Sequence, residues 1–346
     1  MVHFFNWWCD RTREICDNQD FFFERFFAAG CKDWGLDHND IQVCSLFGDP
    51  RNMLAIPKSK VRLFFCGENF EINYWRIYNQ NLPFIEHTCD LLVGFNFNSE
   101  KFIQIPLWMI YWDFWCQGLF QPLQVPKRLD KAVLIASHSA DGTRTAICNV
   151  VHHAGVQVDV NKAELFPHAH RVIQLGPRCD TKRGVVKYYK YNICPENSIA
   201  KGYNTEKIFE SVYCGCIPVY WGAPFEPEVD VLNPEYIVRV SPDQPLNMNA
   251  KQPDDNKVWK SDALIKIFTQ YSKMWVKVWK QLSGSTIVDR DGITTYQVDT
   301  LDQAWEQLKT HWMEHNHLFT PRAAFVIAFT DQKLEWEQVF DQMIPV

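Results

Sequence analysis

One stretch past the middle of the chain gathers residue types that suit chemistry: CPENSIAKGYNTEKIFESVYCGCIPVYWG, from Cys194 to Gly222. It sets acids, amides, glycines and a Glu206–Lys207 pair between two apolar runs. The N–H groups at a helix start favour phosphate, and a lysine in the first turn opposes the helix dipole unless an anion lies beside it. Glu206 is typical of any first helical turn, but its carboxylate could also accept both hydroxyls of a ribose. The pattern favours a nucleotide site.

A β-loop-α-β unit is predicted to position these residues. YYKYNIC is β-rich and apolar enough for a central strand, and it runs into the loop PENSIAKGYN. Asn204 or Thr205 can cap a helix from Glu206 to Tyr213, Gly215 ends it, and CIPVYWG forms the next strand. Ligands of such units bind beyond the carboxyl ends of the strands, which is where this loop lies.

The rest of the chain predicts an α/β fold in two halves. VHFFNWW, DIQVCSLFG and KVRLFFCGEN are typical of buried strands, and NQDFFFERFFAAG of a helix that ends at Gly30. Apolar strands alternating with helices indicate parallel sheets. Prolines and basic residues between Gln117 and Lys131 mark a linker, followed by a strand-like run from Ala132 to Ser139. We therefore predict domains at 1–125 and 126–346.

Composition and charge exclude several classes of protein. A chain of 346 residues with 47% hydrophobic residues can bury a large core, and its length favours two domains. The net charge of -6 offers no basic footprint for nucleic acid. No apolar run reaches the ~18 residues that span a bilayer. GxGxxG and GxxxxGK[ST] are both absent, which disfavours NAD oxidoreductases and P-loop NTPases and leaves a nucleotide sugar.

Cysteine and histidine usage indicates neither disulfides nor a metal site. The 12 cysteines are single apart from Cys214 and Cys216, no CxxC pair occurs, and the chain has no Asn-x-Ser/Thr sequon. This usage suits a reducing cytosol, with the cysteines as small buried apolar residues. The histidines of VVHHAG and FPHAHR have no carboxylate or cysteine at ligand spacing, so we expect no metal there.

The stretch from Cys194 to Gly222 resembles the donor-binding motif of the α-1,3/4-fucosyltransferases, in which Glu-Asn-Ser/Thr, Tyr-x-Thr-Glu-Lys and Pro-[IV]-x-[WL]-Gly follow at this spacing. FNWW, FGDP and FFCGEN are similar, more weakly, to the acceptor domain of that family. The similar segments span about Phe4 to Gly222. The resemblance implies a GT-B architecture: two Rossmann-like domains with parallel sheets facing a central cleft. The N-terminal domain would bind the acceptor, and the C-terminal domain would bind GDP-fucose.

The resemblance also implies an enzyme that transfers L-fucose from GDP-β-L-fucose with inversion, giving an α-L-fucoside. The acceptor implied is a hydroxyl of a galactose- or N-acetylglucosamine-type glycan. No cofactor is implied, with Mn²⁺ or Mg²⁺ at most stimulatory. Such a transfer needs a carboxylate that takes the proton of the acceptor hydroxyl and a site that stabilises the departing diphosphate.

The roles carry over to matching positions. Glu68, in FFCGEN, matches the base of the family. Lys207 and Arg144 look like the two cations that hold the phosphates, with Arg178 or Arg183 as alternatives to Arg144.

Further contacts are implied on both sides of the cleft. Glu206 matches the ribose-binding acid, and Tyr203 matches a residue that packs along the nucleotide-fucose. The full set of donor contacts implied, besides the two cations, is Asn197, Tyr203, Thr205 and Glu206. Trp112 and Trp115 are candidates to stack on acceptor sugars, although most of the aromatic residues around them suit a core.

Two positions depart from the family pattern. Asn204 stands where a β-branched residue is usual, and Pro195 where an aromatic residue is usual. They leave open a different donor, such as GDP-rhamnose or GDP-mannose. A non-catalytic nucleotide- or carbohydrate-binding protein of the same fold is a further alternative. Golgi members of the family carry an anchor and stem that this sequence lacks, so we expect a soluble bacterial or viral-type protein in the cytosol, unless the chain is a catalytic fragment.

Overall fold

The computed structural model does not describe every residue of the chain. The described residues are 3–7, 41–55, 61–69, 72, 76–94, 99–104, 107–108, 125, 127–138, 142–175, 179–223, 231–241, 245–254, 256–260, 263, 294–298, 303, 306–307, 310 and 325–329. The predicted helix that ends at Gly30, as well as Trp112 and Trp115, lie outside them. By its contacts the chain forms two compact units, residues 1–24 with 39–260 and residues 25–38 with 261–346.

Five parallel strands form the first sheet of the first unit, in the order in which they occur along the chain. They are β1 (His3–Phe5), β2 (Ile41–Cys44), β3 (Val61–Phe65), β4 (Leu91–Gly94) and β5 (Phe102–Gln104). Every residue of β2, β3 and β4 is buried, the polar Gln42 and Arg62 included, as expected for inner strands of a parallel sheet. A 3₁₀ helix, Pro50–Ala55, follows β2, and helix α1, Arg76–Thr88, connects β3 to β4.

Six parallel strands form the second sheet, in the order β11-β10-β9-β6-β7-β8. They are β6 (Leu129–Leu134), β7 (Val158–Val160), β8 (Arg171–Val172), β9 (Tyr189–Ile193), β10 (Ile217–Tyr220) and β11 (Val238–Arg239). The helices among them are α2 (Thr143–His153), α3 (Cys179–Val186) and α4 (Glu206–Tyr213), with 3₁₀ helices at Ala163–Leu165, Pro234–Tyr236 and Asn256–Val258. The strand predicted from Ala132 to Ser139 therefore begins earlier and ends at Leu134.

The direction of winding reverses between β6 and β9. From β6 the chain moves outward through β7 to β8, and it then returns to place β9 on the other side of β6. In open α/β sheets a ligand crevice forms at such a switch point, outside the carboxyl ends of the strands. The loops that follow β6 and β9 both begin at this point.

The predicted β-loop-α-β unit is confirmed. Strand β9 lies between β6 and β10, and α4 begins and ends where the apolar pattern predicts. The side chains of Ile208, Phe209 and Val212 are buried on one face of α4. Gly215 follows the helix with a φ of 70°, a left-handed conformation that glycine adopts at low cost. Thr205 is the N-cap residue, but its hydroxyl makes no capping hydrogen bond because it is engaged elsewhere.

The predicted fold class, α/β with two parallel sheets, is confirmed. The boundary predicted at residues 125 and 126 lies between β5 and β6 and stays a prediction. The second unit contains two parallel strands, β12 (Thr294–Val298) and β13 (Phe325–Phe329). Within the described part of the chain, no helix combines the length and apolar character that a membrane crossing needs.

The described cysteines behave as small apolar core residues. All are free and buried: Cys44, Cys66, Cys89, Cys148, Cys194, Cys214 and Cys216. Burial raises the pKa of the Cys44 thiol to about 12, so that thiol is not a ready nucleophile. The cytosolic location inferred from cysteine usage stays a prediction.

Candidate functional site

A cavity of about 240 Å³ lies at the switch point of the second sheet. The loop after β3, the loop after β6, the loop after β9 and the start of α4 all contribute to its lining. Seven residues predicted from the sequence line it: Glu68, Arg144, Asn197, Tyr203, Thr205, Glu206 and Lys207. The structure therefore brings residues from both sheets to one place, and four of the seven carry ionisable groups of opposite sign.

Lys207 is held in the first turn of α4, with 19% of its side chain exposed. Its Nζ donates to Glu196 Oε2 at 3.0 Å and to Thr205 Oγ1 at 2.8 Å. Burial acts to lower the pKa of Lys207, but the carboxylates of Glu196, Glu206 and Glu68 outweigh it and raise the pKa above its usual range. The ammonium group therefore keeps its charge at the cavity wall.

Glu196 is a residue that sequence reasoning left without a role. It is 2% exposed and accepts hydrogen bonds from the Thr205 backbone N–H at 2.9 Å and from the Thr205 hydroxyl at 2.7 Å. The Tyr220 hydroxyl, which donates to Asn204 Oδ1 at 3.0 Å, lies 3.3 Å from Glu196 Oε1. The motif quoted above contains Glu196, but nothing local indicates that its partners would be Lys207 and Tyr220.

Arg144 lies in the first turn of α2 and is 6% exposed. Its Nη2 donates to Asn197 Oδ1 at 2.8 Å, and its Nη1 donates to the backbone carbonyl of His138. Burial and the Arg144 guanidinium lower the pKa of His138, which also lines the cavity. Arg144 thus presents a fixed charge to the cavity from α2, whereas Lys207 lies on α4.

Glu68 follows β3 at the carboxyl end of the first sheet and is half-buried. Its Oε2 accepts a hydrogen bond from the Tyr203 hydroxyl at 3.0 Å, and Asn197 also hydrogen-bonds its carboxylate. Burial raises the pKa of Glu68, against the Tyr203 hydrogen bond and the Lys207 charge, which lower it. A carboxylate with a raised pKa holds a proton more readily than an exposed one does, a property that suits a general base.

Two further contacts connect the segments after β3 and β5 with the loop after β9 and with α4. The Asn69 amide Nδ2 donates to Ser198 Oγ at 3.1 Å. The ring of Trp108 stacks on Phe209 of α4, with ring centroids 4.3 Å apart. These contacts, together with the Tyr203–Glu68 hydrogen bond, fix the position of Glu68 relative to the start of α4.

The remaining predicted donor residues lie at the same wall in different surroundings. Within the residues that the structure describes, the Glu206 carboxylate makes no hydrogen bond or ion pair, so its acceptor sites are open to a ligand hydroxyl. Tyr203 is 1% exposed, and burial raises the pKa of its hydroxyl. Packing of Tyr203 along a nucleotide sugar stays a prediction, whereas its contact with Glu68 was not foreseen.

Of the two alternatives to Arg144, only Arg183 is among the described residues. Arg178 lies outside the described residues. Arg183 lies with its Nε 3.5 Å from Glu210 Oε1, and it does not line the cavity. Its neighbour Lys182 does line the cavity and forms an ion pair with Glu210. Sequence reasoning missed Lys182, because no local pattern distinguishes it from the basic residues around it.

The site therefore suits two chemical tasks, binding of an anion and removal of a proton. Lys207 and Arg144 present positive charge from different elements, which suits an anion such as a diphosphate. Glu68 presents a carboxylate with a raised pKa at the same cavity, which suits removal of a proton from a hydroxyl. Fold and site together define an α/β protein with a charged cavity at the switch point, where proteins of this class bind nucleotides.

Comparison with known proteins finds a similar protein that carries the name of the family that the motif resembles. No protein-family model matches the chain. The sequence is similar to the Alpha-(1,3)-fucosyltransferase FucT of Helicobacter pylori, at 23% identity over 251 residues that cover 63% of this chain and 49% of that protein. The chain therefore spans about half the length of this curated relative. The resemblance expected from the motif is confirmed at the level of the wider sequence.

Solved structures with a similar chain path include two of an alpha1,3-fucosyltransferase. One has a TM-score of 0.43 and 16% identity, over 91% of each chain. The other, solved with GDP-fucose, has a TM-score of 0.42 and 19% identity, over 89% of each chain.

Proposed function

We propose that this chain is an inverting fucosyltransferase that moves L-fucose from GDP-β-L-fucose to a hydroxyl of a glycan, giving an α-L-fucoside. The observation that carries the proposal is the common cavity of Glu68, which follows a strand of the first sheet, and Lys207, which lies on a helix beside the second sheet. A binding protein gains nothing from a carboxylate with a raised pKa placed within reach of a cation that could neutralise a leaving group. The sequence similarity to the fucosyltransferase FucT supports the same reaction.

The proposed mechanism uses four charged groups. Lys207 and Arg144 hold the two phosphates, and the free carboxylate of Glu206 accepts the ribose hydroxyls. Glu68 takes the proton of the acceptor hydroxyl while that oxygen attacks the anomeric carbon of fucose from the face opposite GDP. The bond between the anomeric carbon and the β-phosphate oxygen breaks, and the electron pair leaves with GDP. Charge that develops on the diphosphate is stabilised by cations already in place.

We further propose that transfer requires no metal ion. Lys207, Arg144 and Lys182 all line the cavity, and fixed ammonium and guanidinium groups can perform the charge stabilisation that Mg²⁺ or Mn²⁺ performs elsewhere. EDTA should therefore leave substantial activity. Complete loss of activity that Mn²⁺ restores would show that the proposal omits an essential ion.

A different GDP-sugar is the second candidate, and Pro195 is the observation that favours it. Pro195 lines the cavity at a position where an aromatic residue is usual in the family that the motif resembles. Asn204, the other departure, is fully buried, does not line the cavity, and accepts a hydrogen bond from the Tyr220 hydroxyl at 3.0 Å. Only Pro195 can therefore alter the fit of the sugar by direct contact.

The test begins with binding and ends with turnover. GDP should raise the melting temperature by a few degrees at ~100-fold excess over its Kd, and by more as its concentration rises. Stabilisation by UDP or NAD but not by GDP would overturn the donor assignment. The GDP-sugars are then assayed for GDP release with a panel of galactosides and N-acetylglucosaminides. Donor binding without release of GDP by any acceptor would favour the non-catalytic alternative.

A further inference from the structure

A closed group of hydrogen bonds lies behind the cavity wall, centred on the Glu196 carboxylate. No part of the Glu196 side chain is exposed, and Glu196 does not line the cavity. Its two oxygens nevertheless accept three hydrogen bonds, two from Thr205 and one from Lys207, and the Tyr220 hydroxyl, which donates to Asn204 Oδ1 at 3.0 Å, lies 3.3 Å from Glu196 Oε1. A buried carboxylate with three donors is fixed in one orientation, so it also fixes the groups that donate to it.

These hydrogen bonds also restrict the conformation of Lys207. An ammonium group has three N–H donors, and within the described residues Glu196 and Thr205 accept two of them. The Thr205 hydroxyl donates to Glu196 while accepting from Lys207, which closes a three-membered ring of hydrogen bonds. A flexible lysine is thereby held in one conformation at the cavity, with its third N–H available to a ligand.

The segment that follows β10 leaves space for these hydrogen bonds because position 222 is a glycine. A side chain at Gly222 would place its Cβ 2.3 Å from the Tyr220 hydroxyl and 3.0 Å from Glu196 Cγ. The backbone N–H of Glu196 also donates to the Trp221 carbonyl at 2.8 Å. Glycine at 222 therefore allows both the tyrosine and the glutamate to keep their positions.

We propose that Glu196 is a positioning residue for the departing diphosphate, acting through Thr205 and Lys207. This inference rests on the proposed function. Without the Glu196 negative charge the ammonium group loses one of its two fixed partners, and its position at the cavity is no longer defined. The effect should concern the transition state more than substrate binding, because the diphosphate gains charge as its bond to the sugar breaks.

The test is a double-mutant cycle on the full chain with GDP-fucose and an acceptor that releases GDP. Glu196→Gln keeps the size of the side chain but removes the charge, and it should lower kcat/KM by at least about 10-fold, mainly through kcat. In the Lys207→Ala background the same change should have an effect within about 2-fold, because the group through which Glu196 acts is already gone. Native kinetics in E196Q, or an equal loss in both backgrounds, would overturn the proposal.

Asp159→Asn is the matched control for loss of a buried carboxylate. Asp159, in β7, is 1% exposed and accepts from the Tyr189 hydroxyl at 2.8 Å, but it does not line the cavity. We expect D159N to lower the melting temperature and leave kcat/KM within about 2-fold of native. A fall in kcat/KM as large as that of E196Q would mean that general destabilisation, rather than positioning, explains both.

Two further measurements keep the inference separable from the proposed function. If the native chain transfers no fucose, the proposed function fails, and calorimetric titration with GDP still compares native protein, E196Q and K207A. GDP, unlike GDP-fucose, carries the full charge of the departed diphosphate, so a native Kd for GDP in E196Q beside a weakened one in K207A would overturn positioning in that case. If E196Q does not fold, Glu196→Asp, which keeps the charge, replaces it in the cycle and should show a smaller loss that again vanishes in the K207A background.

Discussion

The loops after β3 and after β9 each bring a glutamate close to Lys207, in opposite surroundings. Glu68 is half-buried at the cavity, and burial raises its pKa above the usual range. Glu196 is buried behind the cavity wall with three hydrogen-bond donors. The acid that must exchange a proton thus stays accessible, whereas the acid that must hold other groups in place is enclosed among donors. Each of the following experiments tests this contrast.

The largest effect is expected at the accessible acid. Glu68→Gln keeps the shape of the side chain but cannot take a proton, so kcat/KM should fall by ~10² to 10⁴-fold while the Kd for GDP changes little. The control is Glu86→Gln, because Glu86 lies in the same half of the chain and accepts a hydrogen bond from Ser99 at 2.6 Å, away from the cavity. Transfer at the native rate by E68Q would assign the base to another carboxylate.

The next largest effect is expected at the lysine between the two acids. Lys207→Ala removes one charge that stabilises the leaving group, and kcat/KM should fall by about 10²-fold or more with the fold intact. Lys190→Ala is the matched control, since Lys190 pairs with Asp130 at 2.8 Å and does not line the cavity. Near-normal turnover in K207A, measured beside K190A, would remove Lys207 from the mechanism.

A smaller effect is expected at the hydrogen bond that joins the two loops. Tyr203→Phe removes the hydroxyl whose hydrogen bond lowers the pKa of Glu68, so that pKa should rise further. A base works only when deprotonated, so the acid limb of the pH–kcat/KM profile should move to higher pH. At pH values above that limb, kcat/KM should fall by roughly 10-fold or less, because one hydrogen bond to Glu68 is lost. Tyr191→Phe, which removes a hydroxyl that donates to the Met248 carbonyl at 3.3 Å, should leave the profile in place.

The smallest effect concerns stability and has the opposite sign. Folding raises the pKa of Glu68, so the native state holds that proton more tightly than the unfolded chain, and stability declines as pH rises from the unfolded toward the folded pKa. E68Q does not lose stability in this way, because the glutamine side chain does not titrate. The melting temperature of E68Q minus that of the native protein should therefore increase between about pH 4 and about pH 7. A difference that stays constant over this range would contradict a raised pKa.

The local part of the structure followed from local sequence signals. The bounds of α4, the central place of β9 and the left-handed Gly215 were all predictable, because helix periodicity, a strand-like run and a glycine stop act over a few residues. Seven of the residues that line the cavity were also predicted, through the motif and the resemblance that it carries. The proposed roles of Glu68, Lys207 and Arg144 stay predictions until the variants are assayed.

The sequence by itself determined the α/β class, the parallel sheets and the placement of a polar loop at a strand end, since each depends on patterns within one segment. Only the tertiary structure decided which groups meet. Tyr203 reaches Glu68 across 135 positions of the chain, and Asn69 reaches Ser198 across 129. Lys182 lines the cavity although its neighbour Arg183 does not. Such contacts depend on how segments distant in the sequence pack together. They cannot be read from the sequence, because periodic patterns report only on neighbouring residues within one helix or strand.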